Sequence, residues 1–289
     1  MRINLAQLRA FVAIVDEASF GAAAETLGIT QSAVSHAISS LERTAATPVI
    51  VRGTSGPILT SFGTELLKHA RVAVAAAEAI TDLAAAQAGS PHGVVRLAAP
   101  PTVCIGMLPD LVAYWHTEFP RVTVRIFEGE HDEVEEWLDA RSVEAAILVD
   151  PPPSTRARLV GTDTFHALLR HDHPLANETA INLHDLEDDP LLFSGAGCEQ
   201  PIQDLYRRAG VKLIPTHRVR ELGTLFAMIR CGLGVAIVPS LVRSMLDRSL
   251  ILVPLCLTHQ RRLALTGPPD GLWHPAVSAL IASVEPRDY

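Results

Sequence analysis

The sequence predicts an α/β protein in two parts, a small helical module with a β-hairpin and a larger domain of alternating strands and helices. Apolar residues recur at helical spacing through the first 45 residues, and a long Ala-rich helical pattern follows at 61–88. Beyond the turn-forming segment 89–93, β-prone runs alternate with helical patterns. A chain of 289 residues has room for two domains that each bury a core.

The N-terminal module is organised around residues 19–42, SFGAAAETLGITQSAVSHAISSLE. Ser19 is placed to cap one short helix, and Gly28 can end that helix in a left-handed conformation. Thr30 can cap the next helix, whose apolar stripe includes Val34 and Leu41. The sequence therefore predicts two helices joined by a tight turn, after a first amphipathic helix that begins near Leu5 and ends near Ala18.

The outer face of the helix after Thr30 carries short polar side chains, namely Gln31, Ser32, Ser35, His36 and Ser39. Such a face lets a helix come close to base edges in a DNA major groove. Taken alone, the pattern also fits two amphipathic helices of an ordinary bundle with solvated serines.

A short hairpin is predicted next, with strands at 48–52 and 58–60 around a Gly- and Pro-containing turn. Three helices and this hairpin predict a winged helix-turn-helix. Arg52 is the best candidate for a phosphate contact, with Thr54 beside it, although a surface arginine is often only solvated. Four arginines and four acidic residues cancel through Thr60, which argues against tight nonspecific DNA binding and favours a dimer at a defined site.

The long helical pattern contains two heptad-like stripes, Phe62, His69, Ala76 and Leu83, and Leu66, Ala73, Ile80 and Gln87. We expect them to form a dimerisation seam with His69 packed inside it. The alternative is an Ala-rich helix that is buried within one subunit.

The remaining strand and helix patterns predict α/β units with largely parallel sheets. Strands are expected at 94–99, 122–127, 145–149, 191–194, 217–219 and 235–238. A single helix is expected over 105–119. Strands at 165–169 and 261–266 would cross between two lobes and leave a ligand-binding cleft between them.

Composition limits the class of protein. A net charge of −8 argues against a protein that coats nucleic acid through bulk positive charge. Four cysteines without a CxxC pair fit neither a disulfide scaffold nor a zinc ribbon, and suit a reducing cytoplasm. The N-terminus lacks the apolar core of a signal peptide, and no run approaches bilayer length, so we expect a cytoplasmic protein without a membrane segment.

The N-terminal run resembles the LysR-type transcriptional regulators. The matching positions are Leu8, Phe11, Ser19, Phe20, Ala22 to Ala24, Leu27, Gln31 to Ser35, Ile38, Leu41, Glu42, Arg52, Leu59, Thr60 and Gly63. Residues 173–176 and 232–239 resemble the effector domain of that family. The sequence departs from the family pattern at 45–48, at Ile50 and at Ser55, which bears on how the wing meets DNA.

The resemblance implies three parts, a winged helix-turn-helix at 1–60, a linker and dimerisation helix at 61–89, and an effector-binding domain at 90–289. This last domain would resemble periplasmic binding proteins, with lobe I at 93–162 and 267–289 and lobe II at 163–266. The implied partners are promoter or operator DNA, a small-molecule effector, RNA polymerase, and further copies in a homodimer or homotetramer.

By the same resemblance, the effector cleft is formed by loops that carry Pro101, Thr102, Val103, His131, Ser194, Cys198 and Thr224. Hydroxyls and free backbone amides there suit a carboxylate effector. The alternative for Thr102 and Ser194 is helix capping. Cys104 and Cys198 are open to a redox role, but small buried residues are the plainer interpretation.

No metal or cofactor is expected, since the clusters at 131–133 and 171–173 lack companion ligands. The sequence also lacks a convergent set of acid, base and nucleophile, so no catalytic residue is predicted. A solute-binding protein and an enzyme that uses the cleft remain the alternatives to a regulator.

Overall fold

The computed structural model describes residues 3–53, 56–86, 91–153, 156–195, 197–270 and 273–289. The chain divides into two compact units. The N-terminal unit is Met1–Ser90 with Ala140–Ser142 and Asp270–Pro275, and the C-terminal unit is Pro91–Asp139, Val143–Pro269 and Ala276–Tyr289. The finer boundaries expected from the sequence stay predictions.

The N-terminal unit has the predicted winged helix-turn-helix. Its elements are α1 (Leu5–Glu17), α2 (Phe20–Leu27), α3 (Gln31–Ala45), β1 (Ile50–Gly53), β2 (Gly56–Leu59) and α4 (Ser61–Ala86). Strands β1 and β2 pair antiparallel, with Ile50 opposite Leu59. The hairpin therefore follows α3 directly, as a wing does.

Local capping explains where α2 and α3 begin and end. The Ser19 hydroxyl accepts a hydrogen bond from the Ala22 N–H at 3.4 Å, and Gly28 ends α2 with φ of 65°. The Thr30 hydroxyl accepts from the Ala33 N–H at 3.2 Å, so α3 begins at Gln31. All three caps were predicted, because each depends only on residues within a few positions.

One hydrophobic core holds the helices of the N-terminal unit together. Phe11 and Ile14 of α1 pack with Val34 and Leu41 of α3, and all four side chains are fully buried. Near the start of α4, a Cβ added at Gly63 would lie 2.1 Å from the Val49 carbonyl oxygen, so only glycine permits this approach. The wing is thereby held against the helices.

Helix α4 buries a stripe of Leu67, Ala70 and Val74 on this core. The predicted dimerisation stripes lie mostly elsewhere on the helix, although Leu66 packs partly against this core. Phe62 is exposed, and so is Ile80, at 69%. His69, which we expected to be packed, is also exposed in the single chain, because the inward positions are taken by the Leu67 stripe. Gln87 lies outside the described residues.

The C-terminal unit alternates strands and helices. Its helices are α5 (Pro101–Gly106), α6 (Leu108–Glu118), α7 (His131–Asp139), α8 (Glu199–Ala209), α9 (Leu222–Arg230) and α10 (Pro275–Ser283). Its strands are β3 (Gly93–Ala99), β4 (Val122–Glu128), β5 (Ala145–Val149), β6 (Ala157–Arg170), β7 (Leu191–Ser194), β8 (Pro215–Val219), β9 (Ala236–Pro239), β10 (Leu250–Pro254), β11 (Gln260–Thr266) and β12 (Arg287–Asp288).

The sheets are mixed, so the expectation of largely parallel sheets was wrong. Strand β3 pairs parallel with β4 and β5, and β7 pairs parallel with β8. Strand β11 pairs antiparallel with β5 and β6, and β6 pairs antiparallel with β9 and β10. The reason is topological, since β11 returns between lobes in the direction opposite to β6.

Two further expectations differ from the structure. The predicted helix over 105–119 is two helices, which break at Met107 because Pro109 lacks an N–H and fits only a first helical turn. The predicted crossover strand at 165–169 is the 14-residue β6, which pairs with strands of both lobes.

Within the described part of the chain, no helix is both long and apolar enough to cross a lipid bilayer.

Candidate DNA-binding surface and effector cleft

The predicted DNA-reading residues occupy one end and one face of α3. Gln31, Ser32, His36 and Ser39 are exposed, and Ser35 is half-buried. The Ser32 hydroxyl lies 2.9 Å from the Thr30 hydroxyl, which places both at the start of the helix. Because Val34, Ile38 and Leu41 point into the core, the polar face is left toward solvent.

The structure describes only one of the two predicted phosphate contacts in the wing. Arg52 lies in β1 opposite Pro57 of β2. Thr54 lies outside the described residues.

A cavity of roughly 460 Å³ lies between the two lobes of the C-terminal unit. Lobe I contributes Thr102 at the start of α5, His131 at the start of α7 and Asp150 just after β5. Lobe II contributes residues around the start of α8, including Cys198, and β11 contributes Arg261. The volume falls in the range typical of small-molecule sites.

Thr102 is the most informative lining residue. It is only 3% exposed, yet its hydroxyl makes no hydrogen bond to any other described residue. Its hydroxyl oxygen is not one of the fully enclosed polar atoms that lack a partner, so it faces the cavity, where water or a ligand can bind it. The helix-capping alternative for Thr102 has no support among these bonds, since α5 begins at Pro101 with no side-chain cap.

Arg261 is a buried cation in the cavity wall. Its Nε and Nη2 donate to the two carboxylate oxygens of Asp163 at 2.7 and 2.5 Å. Burial by itself would lower the pKa of Arg261, but hydrogen bonding to Asp163 reverses this and the pKa lies above its usual value. The charge of Arg261 is therefore already balanced within the protein.

Cys198 lies beside this pair. Arg261 Nη1 donates to the Cys198 Sγ at 3.8 Å. Burial raises the pKa of the Cys198 thiol, and the neighbouring Arg261 opposes that effect only in part. Burial, reinforced by the charge of Glu128, raises the pKa of Cys104 to about 12, and its Sγ donates to the Ala99 carbonyl oxygen at 3.4 Å. Both thiols are thus neutral near pH 7.

Two ion pairs connect the cavity rim to flanking arginines. Arg220 of lobe II donates to Glu130 of lobe I at 2.5 Å, and Arg218 donates to Glu199 at 3.4 Å. The two lobes also approach at Gly197, where an added Cβ would lie 3.5 Å from the His131 Cβ.

The predicted effector residues separate into two groups. Thr102, His131 and Cys198 line the cavity together, and Pro101 lines an adjoining cavity of about 310 Å³. Val103 and Ser194 are buried and do not line the larger cavity, and Thr224 is exposed on α9 away from it. Their assignment to the effector site stays a prediction.

Sequence reasoning missed Arg261, Asp150 and Glu199 at this cavity. Arg261 gave no distinctive signal, because it stands at the polar start of its strand, QRRLALT, beside a second arginine. Asp150 and Glu199 gave no signal either. Among the described residues, no group of three or more His, Cys, Asp or Glu side chains is arranged to hold a metal ion.

Together, the winged helix-turn-helix and the two-lobed domain with its cleft define a DNA-binding protein with a ligand-binding domain. The LysR substrate binding domain matches residues 88–287, and the bacterial regulatory helix-turn-helix of the lysR family matches residues 5–64. The chain belongs to the LysR family of transcriptional regulators. It is a DNA-binding regulator whose C-terminal domain takes an effector, and it is not an enzyme.

Individual relatives agree with this assignment. The uncharacterized transcriptional regulator YvbU of Bacillus subtilis is 34% identical, over 84% of this chain and 83% of its own length. A protein named as a probable hydrogen peroxide-inducible genes activator, from Mycobacterium avium, is 31% identical, over 82% of this chain and 78% of its own length. A full-length OxyR variant from Pseudomonas aeruginosa has the same fold, with a TM-score of 0.79, 23% identity and coverage of 99% of this chain and 96% of that one.

Proposed function

We propose that α3 reads operator DNA through Gln31, Ser32, Ser35, His36 and Ser39, with Arg52 and Thr54 of the wing on the phosphates. The observation that carries this proposal is the exposed polar face at the start of α3. The first residues of a recognition helix are those that meet base edges in this class of domain. Glutamine pairs well with adenine, while serine is less selective.

DNA binding by this module needs more than one copy. The net charge through Thr60 is zero, so phosphate neutralisation by one module supplies little affinity. The exposed Phe62 and Ile80 stripes of α4 would pair with a second copy and set the spacing of two α3 helices. A homodimer, assembled further into a homotetramer, follows the family pattern.

The effector binds in the lobe cleft and acts through the crossover strands. Both β6 and β11 pass between the lobes, so a ligand that touches both lobes would bias the angle between them. That change would alter packing in the oligomer, the spacing of the DNA-reading helices and contact with RNA polymerase. The cytoplasm is the proposed compartment, since that is where the bacterial promoter is found.

A carboxylate remains the proposed effector group. The free Thr102 hydroxyl and the Nη1 of Arg261, which has only a 3.8 Å contact with sulfur, are the two donors that a carboxylate would engage. Hydrogen bonds from an arginine to a carboxylate are among the stronger ones in proteins.

Response to peroxide is the second candidate. The observation that favours it is the contact of Cys198 with Arg261, together with the name of the Mycobacterium avium relative. In that reaction the Cys198 thiol would become a sulfenic acid while peroxide is reduced to water. The raised pKa of Cys198 counts against it, because the thiolate is the reactive form.

One experiment separates these candidates. Footprinting with the full-length chain upstream of its own gene is run alone, with added metabolites, and after hydrogen peroxide treatment. The proposal expects protection of a site with two related halves, and a changed pattern with a metabolite. Protection that changes only with peroxide and is unresponsive in Cys198→Ser would favour the second candidate. No protection at low salt by folded oligomer would refute DNA binding.

A further inference from the structure

The charge of the cleft lining is strongly one-sided. Arg261 is the only permanent cation among the described lining residues, and Asp163 already balances it. Four carboxylates line the same cavity, on Glu130, Asp132, Asp150 and Glu199. A purely anionic ligand would enter this field against net repulsion.

The four carboxylates differ in their hydrogen-bond and ion-pair partners. Glu130 and Glu199 have Arg220 and Arg218 as ion-pair partners. Asp150 accepts one hydrogen bond, from the backbone N–H of Arg262 at 2.7 Å, and its charge also interacts with the Arg261 guanidinium. Asp132 makes no hydrogen bond or ion pair with another described residue. Two carboxylates therefore remain at the cavity with most of their acceptor capacity unused.

A second observation, independent of these charges, points to a ligand in this cavity. Thr102 is 3% exposed and lines the cavity, and its hydroxyl has no hydrogen-bond partner among the described residues. A hydroxyl both donates and accepts, so it can bind an oxygen or an amine. The site is thus an open cleft with a buried hydroxyl in its wall and exposed carboxylates at its mouth.

We propose that the effector carries a protonated amine, which Asp132 and Asp150 bind at the lobe I side of the cleft. The inference rests on the proposed effector site. A metal ion fits less well, because the acidic groups of the described residues do not converge as ligands for one. An amine, with several N–H donors on a larger skeleton, matches carboxylates that are spread along a cavity wall. An amino acid would also satisfy the expectation of a carboxylate at Thr102 and Arg261.

The test compares pairs of compounds that differ only in an amine and a hydroxyl. Suitable pairs are alanine and lactate, serine and glycerate, phenylalanine and phenyllactate, leucine and 2-hydroxyisocaproate, and putrescine and 1,4-butanediol. The melting temperature of the full-length chain is measured with each compound. We expect at least one amine to raise it by about 2 °C or more, while its hydroxyl partner has a smaller effect.

Two isosteric variants assign the effect to residues. Asp150→Asn keeps the acceptor for the Arg262 N–H, and Asp132→Asn changes only the charge at an exposed position. Each should weaken binding of the amine about threefold to tenfold and leave the hydroxyl partner unchanged. Glu136→Gln is the matched control, since Glu136 is exposed on α7 but does not line the cavity.

The inference is overturned if no amine in the panel stabilises the chain, if the hydroxyl partners stabilise it equally, or if Glu136→Gln weakens binding as much as the two Asp variants do. Footprinting of the same preparations keeps the two proposals separate. DNA protection with failed amine binding refutes only the ligand class, whereas amine binding without DNA protection refutes only the proposed DNA contacts.

Discussion

Asp163 and Arg261 stand directly opposite each other on the two crossover strands, and their side chains form a two-point ion pair that is almost completely buried. Asp163 lies in β6 and Arg261 in β11, and they are register partners in the antiparallel pairing. Their side chains are 0% and 3% exposed. The pair therefore ties together the strands that join the lobes, at the wall of the cavity.

Removing one member of this pair should be costly. Arg261→Met leaves the Asp163 carboxylate buried without a counterion, which should lower the free energy of unfolding by about 3–5 kcal/mol. Urea unfolding of the full-length chain measures this free energy. Arg262→Met is the control, because the neighbouring side chain is exposed, and it should change stability by less than about 0.5 kcal/mol. Equal stability of the two variants would contradict this prediction.

Gly234 should tolerate no side chain. Its φ is +147°, and an added Cβ would lie 1.9 Å from the Pro190 carbonyl oxygen, so Gly234→Ala forces lobe II backbone apart. We expect a lower melting temperature and a loss of soluble protein. Gly223→Ala in α9 is the control, since nothing lies within 4 Å of its added Cβ, and alanine favours a helix by about 1 kcal/mol. A Gly234→Ala chain as stable as Gly223→Ala would refute the close approach.

Gln31 should contribute to sequence reading rather than to general DNA affinity. Gln31→Ala is expected to weaken binding to the specific site by about 1–3 kcal/mol, the usual range for one side chain that pairs with a base. Fluorescence anisotropy at several salt concentrations should show an unchanged salt slope, because no phosphate contact is lost. Glu25→Gln on α2 serves as the control. A uniform loss on specific and unrelated DNA would show that Gln31 does not read bases.

Thr102 and Thr224 provide a direct test of where the effector lies. Thr102→Val removes the hydroxyl with little change of volume and should abolish most of the thermal stabilisation by the effector. Thr224→Val should leave the stabilisation unchanged, because Thr224 lies away from the cavity. Loss of ligand response in the Thr224 variant alone would place the effector elsewhere.

His166 should make stability depend on pH. Burial lowers the pKa of His166 below its ordinary 6.5, although a backbone hydrogen bond to Thr164 partly offsets this. Well above pH 6.5 the imidazole is neutral in both the folded and the unfolded state, so it contributes no pH dependence there. As the pH falls below 6.5, the unfolded state takes up the proton first and the free energy of unfolding decreases.

His166→Gln should reduce this loss of stability between pH 7 and 5. The measurement is the difference in unfolding free energy between the unchanged chain and His166→Gln at each pH. Taking this difference cancels the contribution of the other histidines. A difference that is constant across this range would contradict the lowered pKa.

The sequence predicted best what depends on neighbouring residues. The caps at Ser19 and Thr30 and the turn at Gly28 were all correct, because each is fixed by hydrogen bonds across a few positions. The polar face of α3 was likewise readable from helical spacing. The break at Met107 was missed, although Pro109 carried the signal for it.

The cleft was only partly predictable. Loop positions at strand ends indicated Thr102, His131 and Cys198, but not their surroundings. Asp163 and Arg261 are 98 positions apart, so nothing local pairs them. The acidic lining is also a property of the assembled lobes, because Asp150 follows β5 while Glu199 begins α8. Sequence patterns can indicate which residues reach a cleft. The folded chain is needed to show which charges in the cleft are paired and which are not.

The central claim is that α3 binds DNA and that the cleft controls this binding. Footprinting of a DNA site by the full-length chain, with and without an amine that stabilises it, tests both parts together. The account predicts protection of two related half-sites, a changed pattern when the amine is added, and no amine effect in Thr102→Val. Protection that is identical with and without a bound amine, or no protection by a folded oligomer at low salt, would contradict it.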